Sequence, residues 1–214
     1  MPQQQLTRIV AIRHGETAWN AEARLQGHRD IPLNALGLRQ AARLAEALRD
    51  EGLEQVYASD LRRAWVTAQA LAAPLGLPLR AETGLRERCF GELEGHSYRE
   101  IDERWPDLAA RWRSREPGFT PPGGESLETF SARCIEAAGR LAAAHPGGTV
   151  ALVCHGGVLD SLYRVATHVP LDAPRSWLLG NASINRLLYT PQGFTLVGWN
   201  DAAHLDGIAL DELG

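Results

Sequence analysis

Two short apolar runs in this sequence end in the same way. Residues 9–12 (Ile9, Val10, Ala11, Ile12) run straight into Arg13-His14-Gly15-Glu16, and residues 149–154 (TVALVC) run straight into His155-Gly156-Gly157. Continuous runs of small and β-branched apolar residues suit strands buried on both faces of a sheet. A charged segment directly after such a strand lies at its carboxyl end, where α/β sheets keep their ligand crevices. If the two strands are neighbours, both imidazoles share one crevice. A glycine after each histidine is expected to let the backbone turn sharply and to leave room beside the ring.

The intervening periodicities agree with such a sheet. Apolar spacing predicts helices over 34–49, with Asn34 as N-cap, over 61–73, broken by Pro74, and over about 126–144. A further helix is predicted over 158–166, and one or two short ones over 100–115 around Trp105-Pro106. Residues 55–59 read as a strand. Two more near 184–189 and 194–199 are joined by the turn Pro191-Gln192-Gly193. Strands alternating with helices give an α/β fold, with a mostly parallel central sheet and helices on both faces. No repeat or long linker interrupts the 214 residues, so 1–214 read as a single domain. The irregular Gly- and Pro-rich stretch at about 74–124 is an insertion suited to capping a site.

Composition narrows the partners. A formal net charge of −4 offers no basic footprint for nucleic acid, and no apolar run has the length of a membrane span. Residues 1–7 are too short and polar for a signal peptide. Three cysteines without a CxxC pair suggest neither a disulfide framework nor a metal site. A cytoplasmic location with reduced thiols is the expectation.

Two histidines with nearby arginines, and without metal-ligand spacing, point to anion chemistry. Phosphoryl transfer needs these groups. A neutral imidazole is a competent nucleophile near pH 7, forked guanidinium donors match the phosphoryl oxygens, and the leaving alkoxide needs an acid.

At this point the residues resemble a known family. Arg13-His14-Gly15-Glu16-Thr17, "RLQGHRDIPLNALGLRQA", "SDLRRAWVTAQ", "LRERCFGELEG" and "VCHGG" occur in the order found in the histidine phosphatase superfamily, the phosphoglycerate mutase-like enzymes. The resemblance covers nearly the whole chain. It implies a three-layer phosphoglycerate mutase-like sandwich and a metal-independent, cofactor-free phosphomonoester hydrolase working through a phosphohistidine on a small metabolite.

By that resemblance His14 is the nucleophile, Arg13 and Arg63 grip the phosphoryl oxygens, His155 stabilises the transferred group, and Glu87 is the acid. Arg62, one helical step from Arg63, reads as solvated or salt-bridged, while Glu92 and Glu94 are structural alternatives to Glu87. Asn20 and Gln26 match phosphate-contacting positions, with turn residues as the other reading. The backbone from Gly156 onward offers N–H groups at a helix start. Cys154, one strand step from His155, is expected to point into the core. His28, His96 and His204 read as solvated loop residues, although the "WNDAAHL" tail folding back towards the cavity is one expectation for His204. Trp65, Trp105, Trp112 and Trp177 read as packing or pocket wall. "GGES" at 123–126 reads mainly as a helix start.

The 68 positions between Glu87 and His155 are fewer than in the cofactor-dependent mutases, which favours hydrolysis over phosphoglycerate mutation, the alternative activity. Dimers are common among relatives, so a homodimer is compatible with the resemblance. A metal-dependent hydrolase fits poorly, because arginines beside the histidines repel a divalent cation.

Overall fold

The computed structural model describes residues 6–208. In chain order these form β1 (Thr7–Arg13), α1 (Ala18–Ala21), α2 (Ala35–Ala47), β2 (Gln55–Ala58), α3 (Arg62–Leu75), β3 (Leu79–Ala81), α4 (Tyr98–Arg104) and α5 (Pro106–Arg113). There follow α6 (Leu127–Ala143), β4 (Thr149–Cys154), α7 (Gly156–Thr167), β5 (Ile184–Thr190) and β6 (Gly193–Asp201). The six strands make one sheet in the order β3-β2-β4-β1-β5-β6. β3, β2, β4 and β1 are mutually parallel, whereas the β5–β6 hairpin joins β1 antiparallel.

Strand alternation builds the two faces. Ile9 and Ala11 of β1, with Val150, Leu152 and Cys154 of β4, pack with α6 and α7 residues such as Phe130, Cys134, Val158 and Leu162. Val10 and Ile12, with Ala151 and Val153, pack with Leu44 and Leu48 at α2 and Ala64, Ala68 and Leu71 of α3. Each inner strand thus buries both its faces, which is why its sequence is a continuous apolar run. Cys154 belongs to the α6–α7 core, and burial pushes its thiol pKa up.

Three boundaries differ from the sequence reading. Pro74 lies inside α3, because a proline in the last turn forfeits a single ladder bond; the helix ends at Gly76, whose φ of 64° suits the left-handed cap. Residues 79–81, read as irregular, add β3 to the sheet edge beside β2. Most consequential is α7, which starts at Gly156 and not at Val158, so His155 is its N-cap residue. Among the described residues no helix is long and apolar enough to cross a membrane.

Candidate active site

Register places the two histidines together. Arg13 of β1 is level with Cys154 of β4, so the next residue on each parallel strand is a histidine. The His14 N–H donates to the Cys154 carbonyl at 3.0 Å, and the two imidazole centroids lie 5.2 Å apart. The His14 Nδ1 is 2.7 Å from the Gly15 carbonyl oxygen. A carbonyl only accepts, so Nδ1 carries the proton and Nε2 keeps its lone pair.

The glycines are not needed for a left-handed turn. Neither Gly15 nor Gly156 has a positive φ. Gly15 is needed for close approach, since a Cβ there would lie 2.4 Å from the Gly37 carbonyl oxygen of α2. Gly37 reciprocates, because its own Cβ would come within 2.0 Å of the Glu16 oxygen. Helix propensity given up at Gly37 therefore lets α2 hold the loop after His14. Asn34 caps the same helix through Gly37 N–H and ties its amide to Glu16 at 2.8 Å.

The two arginines are fixed by backbone carbonyls. Arg63, fully buried on the first turn of α3, donates Nη1 to the Arg29 oxygen and Nη2 to the Gly27 oxygen, each at 2.8 Å. Arg13 donates to the Leu179 carbonyl. Neither guanidinium is paired with a carboxylate among the described residues, and burial lowers the pKa of both, that of Arg63 to about 10. Arg62 is exposed and points elsewhere, as one 100° helical step requires.

Both imidazoles are held in the neutral form. Burial, then Arg63 and Arg13, push the His14 pKa well below its usual value; His155 is lowered by burial, Arg63, His14 and Arg13. His155 is fully buried, with Nε2 2.8 Å from the Ser59 hydroxyl and Nδ1 without a partner.

Glu87 faces these groups across a cavity of about 390 Å³. Its carboxylate accepts from the Arg88 N–H at 2.9 Å and from the Gly157 N–H, on the first turn of α7, at 3.0 Å. A Cβ on Gly157 would meet Glu87 Oε1 at 2.2 Å and the Phe130 ring at 2.9 Å. Gly157→Ala is therefore expected to push the carboxylate aside. With Glu87 expected from the resemblance to be the acid, turnover should drop by about 100-fold, with a stability cost of about 1–2 kcal/mol for shifting Phe130. Steady-state kinetics alongside thermal unfolding would check both.

Arg13, His14, Asn20, Gln26, Arg63, Glu87 and Gly156 all line this cavity, while His155 touches His14 without forming the wall. Asn20 also closes a capping box with Thr17, so Oδ1 is occupied and its amide NH₂ is the group left for the cavity. Trp112 and Trp177 are wall residues; Trp65 and Trp105 pack in cores. Glu94 is structural, accepting from the N–H of His28 and of Phe90, and Ser126 caps α6. Among the described residues no group of three His, Cys, Asp or Glu side chains is placed to hold a metal ion.

Three histidines depart from their expected solvation. His28 is half-buried and bonded to the Glu87 carbonyl. His96 packs edge-on against Trp105. His204 is half-buried on a turn that contacts α2, and it is not on the cavity wall. Sequence reasoning missed Ser59, Gly157 and Arg88, whose places depend on contacts between distant segments.

The model of the histidine phosphatase superfamily (branch 1) matches residues 9–202. A phosphoglycerate mutase-like protein of Arabidopsis thaliana is 39% identical, the match covering 92% of this chain and 86% of that one. A metal-independent phosphoserine phosphatase of the same plant is 37% identical over 98% of this chain and 88% of its own length. The structure of a mycobacterial glucosyl-3-phosphoglycerate phosphatase superposes with a TM-score of 0.81 at 34% identity, covering 92% of this chain and all of that one. With the motif order, the sheet topology and these matches in agreement, the chain belongs to branch 1 of the histidine phosphatase superfamily.

Proposed function

We propose that the protein hydrolyses small phosphomonoesters in two steps. His14 Nε2 attacks phosphorus, the ester P–O bond breaks, and Glu87 gives its proton to the departing alkoxide. Water then attacks the phosphohistidine and returns a proton to Glu87 as phosphate leaves. Arg13 and Arg63 offset the charge on the equatorial oxygens, aided by the Asn20 and Gln26 amides and the Gly156 N–H. His155 lies behind His14, with ring centroids 5.2 Å apart and an Nδ1 without a partner among the described residues, so its contribution to the transferred group would run through the nucleophile unless substrate uncovers that nitrogen. The observation that carries this reading is His14 itself: its proton sits on Nδ1, its ring feels the charge of Arg63 and Arg13, and neither arginine forms an ion pair among the described residues.

Quenched-flow mixing with a phosphomonoester in the presence of chelator tests it. An acid-labile phosphoryl adduct on the His14 peptide, formed and lost at rates matching turnover, is the expected result. No adduct, or activity lost with chelator, would overturn it. The likeness to a plant phosphoserine phosphatase and a mycobacterial glucosyl-3-phosphoglycerate phosphatase supports water as acceptor. Phosphoryl exchange between phosphoglycerates, primed by a bisphosphate and faster than phosphate release, would instead make the protein a mutase.

The lowered His14 pKa sets a pH dependence. The neutral ring is the nucleophile, and a depressed pKa keeps it neutral further into acid. The acid limb of kcat/KM is expected to fall below pH 6.5, the usual imidazole value; an inflection at or above it would contradict the burial argument.

The cavity also limits the alcohol half. Six arginines line it against Glu87 and Asp160 alone. Arg88 is 5% exposed, with Nε and Nη2 each donating to a backbone carbonyl at 2.9 Å, of Glu125 and Phe119. Burial lowers its pKa to about 10, so it stays charged at neutral pH, with no carboxylate in an ion pair with it among the described residues. Such a buried cation suits a leaving group with an anion of its own, such as the carboxylate of phosphoserine. Arg88→Gln is expected to lower kcat/KM for O-phosphoserine relative to propyl phosphate by roughly 10- to 100-fold, the range for a charged hydrogen bond. An unchanged ratio would remove Arg88 from substrate recognition.

A further inference from the structure

One side chain outside the catalytic set ties the acid to the phosphoryl cradle. His28 sits on the loop whose Gly27 and Arg29 carbonyls hold the two Nη atoms of Arg63. Its Nε2 lies 2.8 Å from the Glu87 carbonyl oxygen, so that nitrogen carries the proton and donates. The loop is stiffened at both ends: Glu94 accepts the His28 N–H at 2.9 Å, and Asp30 accepts the Arg62 N–H at 2.6 Å. Arg133 also reaches the Glu87 carbonyl, at a longer 3.4 Å. Two segments about 60 positions apart are thereby joined through one imidazole.

We propose that His28 is a positioning residue for proton transfer: it holds the Glu87 backbone so that the carboxylate stays at the Gly157 N–H and in line with a leaving oxygen whose phosphorus is gripped by Arg63. The inference rests on Glu87 being the general acid. Its physical basis is the steep dependence of proton transfer on position, where a misplacement of ~1 Å can cost about 100-fold. His28 is not on the cavity wall, so its imidazole does not meet substrate and reaches the site through the Glu87 carbonyl.

A positioning role has a signature that simple destabilisation lacks. A leaving group that departs readily as an anion needs little protonation, whereas an alkoxide needs the acid. The readout is kcat/KM, which reports steps up to phosphohistidine formation, for aryl and alkyl phosphates of increasing leaving-group pKa. For His28→Ala the loss is expected to be roughly 10- to 100-fold on alkyl phosphates and under about threefold on p-nitrophenyl phosphate, with inorganic phosphate inhibiting as in wild type. His28→Gln, whose amide N–H can donate to the same carbonyl, is expected to restore most of the alkyl-phosphate rate. Should His28→Ala fold poorly, the Gln variant against His28→Leu carries the same comparison.

Glu87→Gln is the reference. If it steepens the leaving-group dependence and the His28 variants do not, the positioning role is overturned while Glu87 stands. If Glu87→Gln leaves the dependence unchanged, the acid assignment itself fails. An equal loss across all leaving groups in His28→Ala would also overturn the proposal, making the bond a brace for the Arg63 clamp.

Discussion

Replacing His14 by alanine is expected to lower kcat by about 10⁵-fold or more, the scale seen when a covalent nucleophile is removed, equivalent to about 7 kcal/mol of transition-state stabilisation. The bonds that fix the flanking arginines do not involve the imidazole: Arg13 rests on the Leu179 carbonyl, and Arg63 on those of Gly27 and Arg29. Phosphate affinity should therefore persist while chemistry stops. The variant should hold an intact phosphomonoester, observable by equilibrium binding without product formation. The loop itself is retained by the His14 N–H to Cys154 bond and by Gly15 packed on Gly37, neither of which needs a side chain at 14. Turnover within tenfold of wild type, or an adduct on another residue, would mean that the nucleophile lies elsewhere.

Arg63→Lys is expected to cost roughly 10³-fold in kcat, although the charge is conserved, because the donors that face a developing charge must be placed before it forms. The guanidinium spans two carbonyls 2.8 Å from its two Nη atoms, whereas one ammonium on a flexible stem cannot span both in that geometry. One buried carbonyl would then lose its partner, at about 1–3 kcal/mol of stability. Arg62→Ala supplies the contrast. That side chain is exposed, and its tie to Asp30 runs through the backbone N–H, which alanine keeps. Activity within about twofold is expected there, as for most exposed substitutions. Comparing the two variants by kinetics and denaturant melts decides which arginine of the pair serves the phosphoryl group.

Much of the architecture was legible because it rests on local periodicity. Residues 9–12 and 150–154 are apolar on every position, as suits a strand covered on both faces, and the structure puts them side by side in the sheet. The helices over 34–49, 61–73 and 126–144 followed from their apolar stripes. The short β3 was not legible, since Leu79–Ala81 has three residues and its pairing partner Val56 lies 23 positions away.

The candidate site divides along the same line. The motifs around Arg13, His14, Arg63, Glu87 and His155 are strings of adjacent residues, and the sequence by itself determined which side-chain types they carry and the two strand ends at which Arg13, His14 and His155 stand. It also determined that the chain is an α/β protein with one sheet. Only the tertiary structure decided which nitrogen of His14 is free, because that depends on the Gly15 carbonyl folding back at 2.7 Å. It likewise decided that α7 begins at Gly156, that Gly157 must lack a side chain for Glu87 to dock, and that His28 faces the Glu87 carbonyl instead of water. The reason is physical: side-chain type and spacing are properties of neighbours along the chain, whereas proton placement, burial and close approach are set by atoms that folding brings within about 3 Å from segments far apart.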